Sequence, residues 1–115
     1  MHKAYISTLN APLAGGDAVM PIVNAFFKSE KAAKRAAKQN IVGSEVREIR
    51  PNGYTITMLL EVGAVAILGK GFKHYHEATE ALPPLKAVMR NVHFEIVKFS
   101  ETALYQRNIQ GGSYD

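Results

Sequence analysis

Apolar and polar residues alternate along much of this chain, and the period of that alternation assigns most of its elements. Apolar and β-branched runs set between turn residues predict strands at His2 to Leu9, Ala18 to Lys28, Ser44 to Arg50, Tyr54 to Val62, Ala64 to Leu68 and Val92 to Phe99, with alternation clearest in Tyr54 to Val62. Tyr5, Ile6 and Leu9 are core candidates in the first strand. Ile22, Val23, Phe26 and Phe27 supply bulk in the second, and Pro21 puts it at an edge or bend. In the fourth, Tyr54, Ile56, Met58, Leu60 and Val62 alternate with Thr55, Thr57, Leu59 and Glu61. Turn chemistry separates these runs. Asn10 to Asp17 reads as a loop, Pro51-Asn52-Gly53 as a tight turn with glycine free to take positive φ, and Gly63 as a reversal.

One stretch changes to helical period. Ser29 is a natural N-cap, and Glu30 through Asn40 is built mostly from strong helix formers. Ala32, Ala33, Ala36 and Ala37 form a small-residue face suited to lying close on a sheet. Lys31, Lys34, Arg35 and Lys38 recur at i, i+3, i+4 and i+7 as one cationic row, with Lys28 just ahead of it. Like charges at this spacing repel by roughly 0.2–0.5 kcal/mol per close pair. The row is either a solvated outer face or a contact surface for phosphate or an acidic protein.

Pro83 and Pro84 argue against one continuous helix from Glu77 to Arg90, and Pro84 is expected to open a short helix over Leu85 to Asn91. A helix followed by a strand occurs at Ser29 to Arg50 and again at Glu77 to Phe99, an echo consistent with two β–α–β-like halves on one antiparallel sheet. The expected fold is one α+β domain over residues 1–108. It has an antiparallel sheet of five or six strands, one principal basic helix and a second short helix. A flexible tail is expected over 109–115.

Composition adds little to this and removes several function classes. At 115 residues the chain suits one core, and 47% hydrophobic with 21% charged residues is ordinary for a folded domain. A formal charge of +4 favours anionic partners. No cysteine means no disulfide, no thiolate metal site and no cysteine nucleophile, and a cytoplasmic setting is expected. The N-terminus lacks the apolar run of a signal peptide, and no stretch reads as a membrane span.

Candidate chemistry is sparse. His74 and His76 flank Tyr75 and would share a face of a strand, but a metal site would need His2 or His93 as well. Gly15-Gly16-Asp17 lacks the lysine and hydroxyl of a phosphate loop. Glu77, Glu80, Glu95 and Glu101 form no recognisable acid–base pair. No cofactor and no catalysis are therefore expected. Of the aromatics, Tyr54, Phe72, Tyr75, Phe94, Phe99 and Tyr105 are possible base-stacking residues, although most should be core. Lys70, Lys73 and His74 beside Phe72 and Tyr75 are the one place where basic and aromatic residues interleave.

The first half has a further feature. A strand beginning Lys3-Ala4-Tyr5-Ile6 and a second strand precede Ser29, Ala33-Lys34-Arg35-Ala36 and Gln39. Gly43, Val46, Arg47, Ile49, Asn52 and Gly53 follow. This layout resembles the small bacteriophage inhibitor proteins, type I-F anti-CRISPR proteins in particular, over roughly residues 3 to 58. The resemblance implies a non-enzymatic blocker of a host protein or ribonucleoprotein complex, one that obstructs nucleic-acid access in the bacterial cytoplasm. Lys28, Lys31, Lys34, Arg35 and Lys38 would carry that contact. The alternative expectation is a small basic module that binds DNA or RNA directly, through the same row and through Lys70, Lys73 and Tyr75.

Overall fold

Two long strands open the molecule as a hairpin. The computed structural model describes residues 3–12, 19–39, 45–60 and 63–110. Strand β1 (Ala4–Pro12) pairs antiparallel with β2 (Val19–Phe27) on one side and with β3 (Glu45–Ile49) on the other. Helix α1 (Glu30–Gln39) links β2 to β3 and packs on all three strands. The second half repeats the plan. Strand β4 (Tyr54–Leu59) is flanked by β5 (Val65–Ile67) and β6 (His93–Lys98), both antiparallel to it. Helix α2 (Tyr75–Val88) links β5 to β6. The strand orders are β2-β1-β3 and β5-β4-β6. Each half is therefore a ββαβ unit with its first strand in the centre.

The expected single sheet of five or six strands is thus corrected to two three-stranded sheets. They meet where an isolated bridge pairs Ile22 with Leu68, and the Gly69 amide donates to the Pro21 carbonyl at 2.9 Å. The short β5 explains the break: three residues are too few to extend a ladder along the nine of β2. Gly69 is needed at this seam, because a Cβ there would sit 2.9 Å from Thr8 Cγ2 and 3.2 Å from the Pro21 oxygen. The Thr55 hydroxyl lies 2.8 Å from the Leu68 carbonyl and 3.1 Å from that of Lys70, tying the departing chain to β4. Pro21 sits on an edge strand of its sheet, where its missing N–H costs no ladder bond.

Two apolar clusters fill the molecule. The first gathers Ala4, Ile6, Val23, Phe26 and Ile49 with Ile67, Phe99 and Tyr105. Its lid is helix α3 (Ala103–Gln110), which packs on β2. Phe26 meets Phe99 and Tyr105 edge-on, at ring-centroid distances of 6.1 and 5.3 Å. The second cluster lies under α2, where Ala81, Leu82, Leu85 and Met89 cover Ile56, Met58, Phe94 and Ile96, joined by Met20 and Ile22 from β2.

Among the described residues three α-helices replace the expected two. Helix α2 has 14 residues and is the longest, and it runs through Pro83 and Pro84. Both prolines are exposed, so the carbonyls they leave without a helical partner belong to exposed Thr79 and Glu80 and can be hydrated. The apolar stripe of Ala78, Ala81, Leu82, Leu85 and Met89 holds the helix against the sheet across them. Beyond the prolines the helical ladder resumes, with the Met89 amide bonded to the Leu85 carbonyl at 2.9 Å. Helix α3 was not expected, and it takes in residues 109 and 110 of the expected tail. Its cap is Thr102, whose oxygen accepts from the Tyr105 amide at 3.2 Å.

Smaller differences follow local chemistry. β1 continues through Asn10 to Pro12, where a loop was expected, because Pro21, Met20 and Val19 pair with those residues. Gly53 does not take positive φ. A Cβ there would instead press on the Arg50 oxygen, at 3.1 Å, that the Gly53 amide bonds at 2.8 Å. Gly63 does turn the chain, at φ 85°. The expected strand positions Glu61 and Val62, the glycines at 15 and 16, and residues 111–115 lie outside the described residues.

Candidate nucleic-acid interface

Helix α1 presents its charges as its sequence predicts. The Ala32 amide donates to the Ser29 hydroxyl oxygen at 3.1 Å, which closes the N-cap. Ala33 is fully buried, and Ala32, Ala36 and Ala37 are half-buried. Lys31, Lys34, Arg35 and Lys38 are all exposed, as is Lys28 at the approach. Among the described residues, one ion pair touches this row: Lys34 with Glu30, 3.3 Å apart at i, i+4. Both members are more than half exposed, so the pair is weak and screened.

A second basic surface forms at the start of α2, and here the structure assembles more than the sequence suggested. Tyr54 and Phe72 form a hydrogen-bonded antiparallel pair, with N···O distances of 2.8 and 2.7 Å. Lys98 lies directly opposite Tyr54 on β6. Residues directly opposite share a face, so Phe72, Tyr54 and Lys98 make one cross-strand row. The Tyr75 ring meets Tyr54 edge-on at 5.6 Å. Lys98 Nζ stands 5.9 Å from the centre of the Tyr54 ring, and Lys70 Nζ stands 5.4 Å from that of Phe72. Tyr75 is 56% exposed, an unusual position for a large aromatic side chain. Sequence reasoning missed Tyr54 and Lys98 as partners, because their adjacency is set by the β4–β6 register, across a separation that no local pattern encodes.

Beside this row lies an open cleft of about 720 Å³, lined by Arg50, Asn52, Gly53, Gly71 and Lys73 among others. Glu48 also lines it, and its carboxylate pairs with Lys3 at 3.5 Å. The remaining aromatic candidates are structural or partly so. Phe99 and Tyr105 are buried, and Phe94 is half-buried under α2.

His74 and His76 do not lie on a strand, the arrangement in which they would have shared a face. His74 precedes α2 and His76 lies in its first turn. Their rings stack nearly parallel, 5.5 Å apart. The reason is Glu77, whose carboxylate accepts from the His74 amide at 2.9 Å and closes the helix start. That bond, together with the charges of His74 and His76, holds the Glu77 carboxyl below its usual value. Among the described residues no three His, Asp or Glu side chains gather as a metal site would require. Among them, too, no helix is long and apolar enough to cross a membrane.

No known protein family, curated protein or solved structure matches this chain. Its function must be argued from these two surfaces.

Proposed function

We propose that this protein binds nucleic acid without altering it chemically, and that the cationic row of α1 makes the main contact with phosphate. The observation that carries this reading is the division of α1, with Ala33 fully buried and Lys31, Lys34, Arg35 and Lys38 exposed along one line. A helix fixed on a sheet by its alanines holds those cations in a set geometry, which a flexible tail would not. The overall charge of +4 attracts polyanions in the same sense. The cysteine-free composition fits a cytoplasmic setting.

Salt dependence tests this. Phosphate contacts release counterions, so three or four of them should give a log–log slope of affinity against salt near about −3 on duplex DNA. Changing Lys31, Lys34, Arg35 and Lys38 together to Gln should flatten that slope and leave the fold intact, since glutamine keeps helix propensity. Fluorescence anisotropy on labelled duplex reads both. No binding at low salt, or an unchanged slope in the variant, removes the reading.

The exposure of Lys34 and Arg35, two residues of the stretch that resembles phage inhibitors, favours a second reading. In it the same row docks on a host ribonucleoprotein complex, such as a CRISPR surveillance complex, and obstructs its nucleic-acid path. Pull-down from a CRISPR-active bacterial lysate should then recover that complex with the parent protein but not with the four-site variant. Expression should also protect infecting phage. Recovery of no complex and no protection would exclude it.

A further inference from the structure

We propose that the row Phe72–Tyr54–Lys98, with Tyr75 and Lys70, is a stacking platform for single-stranded nucleic acid. This deepens the nucleic-acid reading above and rests on it, but it assigns a different surface and a different strand state. The argument is geometric. Three rings sit at one end of the sheet: Phe72 is half-buried against the second apolar cluster with Lys70 over its ring, Tyr54 is half-buried with Lys98 over its ring, and Tyr75 is the exposed one. Adjacent strands are about 4.8 Å apart, so the row spans roughly 10 Å from Phe72 to Lys98. An exposed ring backed by aromatics and bracketed by cations suits a strand whose bases are unpaired, with a base on Tyr75 and the flanking phosphates on the lysines. A duplex keeps its base faces stacked inside and cannot use the rings.

Tyr75 is the residue that singles out this chemistry. It caps no core cluster, it is 56% exposed, and its ring is held edge-on by Tyr54. Holding it in place reduces the entropy lost when a base stacks on it. Lys73 lies between the platform and the neighbouring cleft and can follow the strand's backbone onward. The nearby carboxylates are held by local bonds and keep their charge, so the strand's phosphates must lie on the lysine side. Glu77 accepts from the His74 amide and Glu101 from the Lys98 amide, each at 2.9 Å. Glu48 is paired with Lys3.

The test uses the full chain, with fluorescence anisotropy on short labelled oligo-dT and oligo-rU, a duplex of equal length, and heparin as an anion without bases. Tyr75→Ala should weaken single-strand binding by about 5- to 150-fold, the range of one lost base stack. Tyr75→Phe should restore it, and heparin binding should be the same in all three proteins. The four-site α1 variant should lose duplex affinity far more than single-strand affinity. Circular dichroism confirms that each variant keeps its helices. Parent-like oligonucleotide binding by Tyr75→Ala overturns the platform, as does equal loss on oligonucleotides and heparin. If the α1 variant loses both strand states while Tyr75→Ala loses neither, the α1 reading stands and the platform falls. If the parent binds no oligonucleotide at low salt, both fall.

Discussion

Phe26 and Tyr105 are the residues on which the first cluster closes. Phe26 is 1% exposed and meets both Phe99 and Tyr105 edge-on. Phe26→Ala removes a buried ring and two aromatic contacts from a site walled by strands on two sheets, which cannot collapse to fill the space. It should cost about 3–5 kcal/mol, read by urea denaturation. Tyr105 adds a pH signature. Burial raises its pKa above the ordinary 10.0. A raised folded-state value favours the protonated form, so Tyr105's contribution is complete below about pH 10 and is lost as pH rises through the folded value. Alkaline absorbance titration should therefore find a tyrosine step above pH 10, and Tyr105→Phe should abolish it. At this scale the sequence was legible where burial follows alternation, as at Ile6, Phe26 and Ile56. It was not legible at Ser7 and Thr8, adjacent and both fully buried although neighbours on a strand face opposite ways. The β1 register shifts between them, and sheet and helices cover both sides there.

The elements show where local propensity was overruled. Helix α1 was readable because caps, composition and amphipathic pattern agree on it. Helix α2 was not, because two prolines speak against a helix whose apolar stripe only makes sense once β4 and β6 are beside it. That conflict has a measurable consequence. An interior proline disfavours a helix by about 3 kcal/mol relative to alanine, while its stiffening of the unfolded chain returns about 0.4–1 kcal/mol. Exposed Pro83 and Pro84 make no core contact that alanine would lose. On those figures the double change to alanine should stabilise the protein by about 4–5 kcal/mol, checked by the urea midpoint. A loss of stability would mean that the prolines fix a bend the sheet requires. The start of α2 carries a second prediction. The His74 amide and the nearby imidazolium charges lower the Glu77 pKa in the folded state. A lowered value favours the ionised form, so this contribution is present above the ordinary value of 4.5 and fades as pH falls through the folded value. Glu77→Ala should remove that part of the acid-induced loss of helicity, and Glu77→Gln, which keeps an acceptor oxygen, should keep the helix start at neutral pH.

On the scale of the whole molecule, the two ββαβ halves share one topology, yet the apolar interior does not divide between them. The sequence echo of helix followed by strand was the visible trace of this plan. What it could not convey was the seam, because that depends on β5 being short and on Gly69 allowing Thr8 and Pro21 to come close. Backbone pairing across the seam is slight, a bridge at Ile22 and Leu68 and one bond from Gly69 to Pro21. If pairing alone joined the halves, they would melt separately. The clusters predict otherwise. The first takes Ala4, Ile6, Val23, Phe26 and Ile49 from one half and Ile67, Phe99 and Tyr105 from the other. The second needs Met20 and Ile22 from β2 to complete the layer under α2. Neither half can then bury its strands alone, and a unit of about half this length would be marginal even with a core of its own. Thermal and urea unfolding should therefore give a single transition, with far-UV circular dichroism and tyrosine fluorescence coincident. Ile22→Ala, at the seam and in the second cluster, should lower the midpoint of both probes together. Two resolved transitions, or a midpoint shift confined to one probe, would show that the halves are independent units and that α3 and β2 do not couple them.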